Sequence, residues 1–313
     1  MSSTSRTSRR RSLTAGATAV VLAALLAACG SGGAGHDTAG MHHDPAASAP
    51  ASAAASAGHP ATGAADGMAD MPGAEGGTGL TDTLRGYRLT APDTPLPAGA
   101  AADYRFTITG PDGRAVTDFA VDQTQRMHFY AVRSDLTGFQ HLHPAMAADG
   151  TWTASLAALT PGTWRTYASF TPKSGEAAGS ALVLSRPVTV PGAGAAVPLP
   201  PAATTAQVDG YTVTVRGEPM ARMAHPMTVH VARDGRPVTD LQPYLDTYAH
   251  LTAVHAGDLA FAHLHPATAV DGDHGGPDLT FHAEFPQAGD WRLFLQFRTG
   301  GRLHTAELTL RVG

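Results

Sequence analysis

One element is spelled twice in this chain. "GFQHLHPAM" at Gly138–Met146 returns as "AFAHLHPAT" at Ala260–Thr268, an offset of 122 residues. The likeness runs without a gap from Asp112–Pro144 onto Asp234–Pro266, and beyond it the offset grows to 127, where "PGTWRTYASF" (Pro161–Phe170) matches "AGDWRLFLQF" (Ala288–Phe297). Upstream, "GYRLT" from Gly86 matches "GYTVT" from Gly210. A period near 120 residues is too long for a solenoid and signals a duplicated globular domain. Two homologous domains are therefore expected over 81–191 and 207–313, joined by a Pro/Ala-rich linker over 192–206.

Within each copy, short apolar-alternating runs are cut by turn signals. "DYRFTIT", "MHFYAV", "TWTASL" and "TWRTYASF" mark the first copy; "YTVTVR", "MTVHVA", "DLTFHAEF" and "WRLFLQF" mark the second. Period-two patterning, β-branched and aromatic enrichment and Asp-Gly turns predict antiparallel sheet. Six or seven strands in roughly 100 residues fit an immunoglobulin-like β-sandwich. No segment carries a helical period, although "DLQPYLDTYAH" (Asp240–His250) could form one turn.

The histidines follow the same period. Residues i and i+2 of a strand share a face, so His141 and His143 lie together with Leu142 opposite, and His263 and His265 likewise flank Leu264. Pro144 and Pro266 cannot continue a central strand, which predicts that each pair sits at a strand end near the loop-rich rim. His128 precedes His141 by 13 residues, and His250 precedes His263 by the same 13. If the hairpin register opposes His128 to His143, three imidazoles share one face in each domain; a one-residue slip would separate them. Three imidazoles suit Cu(II), Zn(II) or Ni(II). The bland alternative is a structural corner whose rings bond backbone carbonyls, inherited twice with the domain.

Softer donors lie elsewhere. "EPMARMAHPM" holds Met220, Met223, His225 and Met227, a weaker candidate for Cu(I), since methionine is also a common core filler. Residues 30–80 are Ala, Gly, Ser, Pro and Asp with few large apolar side chains, a composition that predicts a disordered tether. Within it, Met41, His42 and His43 form one island and Met68 and Met71 another, further weak metal ligands. Residues 1–29 read as an export signal: Arg6 and Arg9–Arg11 precede an apolar run too short to span a membrane. It ends in "LAACG", which resembles a lipobox, making Cys29 the expected lipidation site and the membrane the expected anchor.

Cys29 is the only cysteine of the 313 residues. That excludes an intramolecular disulfide, a cysteine-ligated zinc or iron–sulfur site, a catalytic thiolate in the folded domains and a blue-copper centre. The net charge is −5, with 21 Lys+Arg against 26 Asp+Glu, so no nucleic-acid partner is expected.

"PLPAGAAADYRFTITGPDGRAVTDF" followed by "MHFYAV" and "DLTGFQHLHP" resembles the FixH/YtkA-like immunoglobulin-sandwich domains of exported bacterial proteins, and actinobacterial lipoproteins of that group. The resemblance covers both repeats and implies a sandwich on the outer face of the membrane, associated with copper or heavy-metal handling. The leading expectation is a non-enzymatic, lipid-anchored metal-binding protein for copper, with zinc second, that partners another copper-handling protein. A dismutase-like copper enzyme and a purely structural or interaction module are the alternatives.

Overall fold

The computed structural model describes residues 76–313, apart from the side chains of His263 and His265. In the first repeat the strands are β1 (Thr83–Leu84), β2 (Tyr87–Thr90), β3 (Ala102–Thr109), β4 (His128–Arg133), β5 (Phe139–Leu142), β6 (Ala145–Met146), β7 (Thr151–Leu156), β8 (Gly162–Phe170) and β9 (Leu182–Val190). In the second they are β10 (Thr205–Val208), β11 (Tyr211–Arg216), β12 (Ala224–Arg233), β13 (Arg236–Pro237), β14 (Ala249–His255), β15 (Phe261–Pro266), β16 (Asp278–Glu284), β17 (Gly289–Thr299) and β18 (Arg302–Val312). No described residue is in an α-helix. Each repeat is an immunoglobulin-like antiparallel β-sandwich.

The first sandwich packs sheet β1-β2-β3-β7-β6 against sheet β5-β4-β8-β9. Phe106 of β3 and Phe129 of β4 meet across it as stacked rings 5.1 Å apart, within a core that also holds Trp152, Trp164 and Ala168. In the second, the order is β10-β11-β12-β16-β15-β14-β17-β18, with β13 on β12. Here β15 belongs to both layers: Phe261–His263 pair with β14, whereas Leu264–Pro266 pair with β16. The first repeat makes the same change of sheet, but Pro144 divides it into β5 on β4 and β6 on β7. The HLHP element is thus the corner where the chain crosses between layers, and proline fits there because it has no ladder N–H to give.

Burial patterns separate two kinds of strand. β3, β7, β12 and β16 alternate buried and more exposed positions, one face on the core and one toward water. β4 is buried at every position, and β14 and most of β17 nearly so. A strand buried on both faces needs a layer on each side. For these strands the second layer is the other repeat.

The seam between the repeats is a small apolar core of its own, including Tyr130, Val132, Tyr167, Val254, Phe261 and Phe294. Its contacts come in related pairs. Phe139 stacks on Phe294 with centroids 4.1 Å apart and planes 7° apart. Their counterparts under the 122- and 127-residue offsets, Phe261 and Tyr167, lie 5.4 Å apart. His128 faces its own counterpart His250 at 5.8 Å, and Tyr130 is hydrogen-bonded to its counterpart Thr252. Residue i touching j′ while j touches i′ is the signature of a two-fold, isologous interface. Both repeats fall in one compact unit of the chain.

Residues 76–81, at the end of the expected tether and the start of the first domain, lie on this seam. Phe261 N–H donates to the Thr78 carbonyl at 2.7 Å, and Ser185 Oγ donates to the Gly79 carbonyl at 2.5 Å. Gly79 has φ +63°, and a Cβ there would stand 2.9 Å from Val183 and 3.0 Å from Tyr167. Only glycine fits both the conformation and the space. The "DLQPYLDTYAH" segment forms a tight reversal, not a helical turn: Leu245 and Asp246 take φ of 55° and 56° between the bridged Tyr244 and Thr247.

Candidate metal centre

The hairpin register decides whether the histidines meet. β4 and β5 pair Phe129 with Leu142 and Tyr130 with His141, so continuing one step sets His128 opposite His143. The ligand nitrogens of His128, His141 and His143 lie within 4.8 Å of one another. In a tetrahedral shell two metal–nitrogen bonds of about 2.1 Å hold their nitrogens about 3.4 Å apart, so the most widely spaced pair closes by up to about 1.4 Å to share one ion. In the second repeat Thr252 pairs with His263 and Ala253 with Ala262, the same register.

The rim location expected from the proline is corrected. The cluster sits on the inter-repeat seam, where His128 is 5% exposed and His250 7%. The His250 ring lies 5.6 Å from His141 as well as 5.8 Å from His128, so a second-repeat imidazole borders the three from the first. A small void of about 10 Å³, room for one water-sized sphere, lies beside His128, His250 and Tyr130. Tyr130 stacks on His141 at 4.4 Å and covers one side of it.

The Asp122 carbonyl fixes the His128 tautomer, and the placement of the Gln296 amide oxygen sets that of His141. His128 Nε2 is 3.1 Å from the Asp122 carbonyl, which can only accept, so Nε2–H donates. His141 Nδ1–H donates to Gln296 Oε1 at 2.8 Å, while Gln296 Nε2 turns toward Thr305 Oγ1. In neutral rings the remaining nitrogens, His128 Nδ1 and His141 Nε2, are then both bare, and they face each other at 3.1 Å. Two lone pairs at that distance repel unless a cation lies between or beside them, or unless the Gln296 amide turns so that His141 Nε2–H donates to His128 Nδ1. His143 Nε2, shut off from water, has no hydrogen-bond partner among the described residues.

The rings are held neutral. Burial lowers the pKa of His128, and it pushes His141 well below the usual histidine range, with neighbouring imidazoles adding to the effect against the Gln296 bond. His143 falls to about 4 through burial and the adjacent His128. Neutral imidazole is the metal-binding form. Among the described residues no carboxylate is grouped with the three rings; Asp122 bonds His128 through its backbone carbonyl, and its carboxylate works against the burial that lowers the His128 pKa. It is presented by a glycine-free tight turn in which Gln123 and Thr124 take φ of 46° and 68°.

The remaining candidates are not gathered into a site. Met227 is wholly buried in the second core, because the alternation of β12 turns it inward with Val229 and Val231. Met220 and Met223 stand 50% and 51% exposed before that strand, and His225 is half-buried at its start. Cys29, Met41, His42, His43, Met68 and Met71 lie outside the described residues, as do the side chains of His263 and His265. Two participants were missed from sequence: the Asp122 carbonyl, which leaves no sequence signal, and Gln296, which does. Gln296 is a lone amide inside the apolar run "WRLFLQF".

The chain belongs to the DUF8832 family, a domain of unknown function, which matches over residues 82–184 and again over 206–313. No curated protein matches it. Among solved structures, Yersinia pseudotuberculosis InvD is similar at 16% identity over 73% of this chain and 58% of that one, with a TM-score of 0.23. The Escherichia coli adhesin FdeC is similar at 15% identity over 74% of this chain and 65% of that one, with a TM-score of 0.24. Domains 5–6 of the S-layer protein SbsC give 12% identity over 72% and 95%, with a TM-score of 0.21. The chain spans less than two thirds of the InvD and FdeC structures. Likeness at this level carries no functional inference, and the sandwich assignment rests on the strands themselves.

Proposed function

We propose that this protein is an exported, lipid-anchored metal-binding protein whose buried histidine cluster takes up a divalent transition metal, copper first and zinc second. The observation that carries the reading is the convergence of three imidazoles, whose ligand nitrogens lie within 4.8 Å of one another, with His128 Nδ1 and His141 Nε2 3.1 Å apart. Each ring donates its other N–H to an acceptor, the Asp122 carbonyl and Gln296 Oε1. Metal-ligating histidines are typically held this way, the outer acceptor fixing tautomer and orientation. An all-imidazole donor set favours Cu(II) and Zn(II) over hard cations, and Cu(II) stands highest in the affinity order of the divalent series. Anchoring through Cys29 is supported by the lipobox-like "LAACG", and metal handling outside the membrane by the likeness to FixH/YtkA-like domains. Buffering or delivery to a further copper-handling protein suits such a site better than catalysis, since the rings are largely closed to water.

A structural role is the competing reading, favoured by the burial of the same rings in the seam. Metal content after purification without chelator, followed by Cu(II) and Zn(II) titration, separates the two. The metal reading expects tight uptake that is lost in the His128→Ala/His141→Ala/His143→Ala variant. Equal uptake by both proteins, or none by either, would refute it.

A further inference from the structure

The two repeats duplicate one domain, yet the described imidazoles do not form two separate sites. His250 of the second repeat lies 5.8 Å and 5.6 Å, ring centre to ring centre, from His128 and His141 of the first. The acceptor that orients His141 comes from the second repeat as well: Gln296 stands on β17. His128 and His250 are counterparts under the repeat and meet face to face, as do Tyr130 and Thr252. Around them the apolar seam is closed by Phe139 on Phe294 and by Phe261 against Tyr167. The polar centre of the interface and the candidate metal centre are therefore the same place.

We propose that the ion is ligated across the seam, by His128, His141 and His143 of one repeat and His250 of the other, so that metal occupancy and closure of the repeat–repeat interface form one equilibrium. This inference rests on the metal reading above. Three of the nitrogens already lie within 4.8 Å of one another, and a shift of the neighbouring His250 toward them would complete the tetrahedral shell that structural zinc sites adopt. A ligand that binds only the closed arrangement stabilises closure by as much as it prefers it, so the loaded protein holds its repeats together and the empty protein loosens at the seam. Such coupling would make metal release a matter of parting two domains, which gives a route out of a site that Tyr130 covers on one side.

The test is Zn(II) binding to the full chain, measured by competitive titration and by hydrogen exchange resolved to each repeat. In the wild type, Zn(II) is expected to slow exchange in β4 and β5 and equally in β14 and β17. His250→Ala, and His250→Gln as a variant that preserves volume and polarity, are expected to lose at least about 100-fold in affinity, beyond the 10–100-fold typical of an outer-shell change. Both are expected to confine the residual protection to the first repeat. Protection limited to the first repeat in the wild type, or unchanged affinity in both His250 variants, would overturn the shared site while leaving metal binding intact. Absence of any Zn(II) or Cu(II) binding by the wild type would instead remove the metal reading itself, and the clamp with it.

Discussion

Gln296→Leu separates a metal centre from a hydrogen-bonded corner. In the native protein Gln296 Oε1 accepts His141 Nδ1–H at 2.8 Å, which leaves Nε2 bare toward His128. Gln296 is only 6% exposed, so water cannot simply replace its oxygen. With leucine there, a buried Nδ1–H without an acceptor would cost about 1–3 kcal/mol. The ring avoids that cost by changing tautomer: Nε2–H then donates to His128 Nδ1, the atom already 3.1 Å away. The empty protein is thus expected to unfold within about 1 kcal/mol of the wild type, because one hydrogen bond replaces another. The metal, however, now meets a protonated nitrogen and must reverse the change. Loss of such an outer-shell acceptor typically weakens binding 10–100-fold, or about 1.4–2.7 kcal/mol. Gln296→Glu keeps an acceptor and is expected to bind at least as tightly as the wild type. Competitive Cu(II) and Zn(II) titration with apo-protein melting reads both quantities. Wild-type affinity in Gln296→Leu, or an equal loss in Gln296→Glu, would refute the tautomer argument.

Three further outcomes are expected. The histidine pKa values are lowered in the fold, so between about pH 6.5 and 4 the unfolded chain binds more protons and stability of the empty protein falls as pH drops. For His143, a fall from 6.5 to about 4 would be worth about 3 kcal/mol at full burial. Solvent screening at this part-exposed ring reduces that to about 1–2 kcal/mol. Denaturant unfolding at pH 7 and pH 4.5 checks it, and equal stabilities of wild type and His143→Ala across that range would contradict it. Met227→Ala should cost about 2–5 kcal/mol through the cavity it leaves, whereas Met220→Ala and Met223→Ala should leave the melting temperature unchanged; a metal-affinity loss in the exposed pair would revive the thioether site. Phe139→Ala removes the stack on Phe294 and should cost about 2 kcal/mol, a calorimetric shift of roughly 4–8 °C for a unit of this size; an unchanged transition would mean the seam contributes nothing to stability.

Much of this architecture is legible in the residues. Period-two alternation in "DYRFTIT" and "MTVHVA" gives strands with one core face, and the doubled HLHP element gives the duplication. The common 13-residue spacing allows a hairpin register that sets His128 across from His143, and the strand pairing decides it. What the alternation hides is the seam. "MHFYAV" and "WRLFLQF" are apolar on both faces, which signals a second covering layer, but nothing in a single strand says that the layer is the sister repeat. For that reason the two histidine sets read as two rim sites, while the fold brings His250 to the first set. Met227 misled for a related reason: a thioether near a histidine is indistinguishable in sequence from a core filler until the strand's inward face is known.

X-ray absorption at the metal edge of the loaded full-length protein tests the central claim most directly. A metal held by the cluster is expected to show a first shell of nitrogen near ~2.0 Å with the multiple-scattering pattern of at least three imidazoles, abolished in the His128→Ala/His141→Ala/His143→Ala variant. A shell dominated by oxygen or by thioether sulfur, or an unchanged spectrum in that variant, would contradict it.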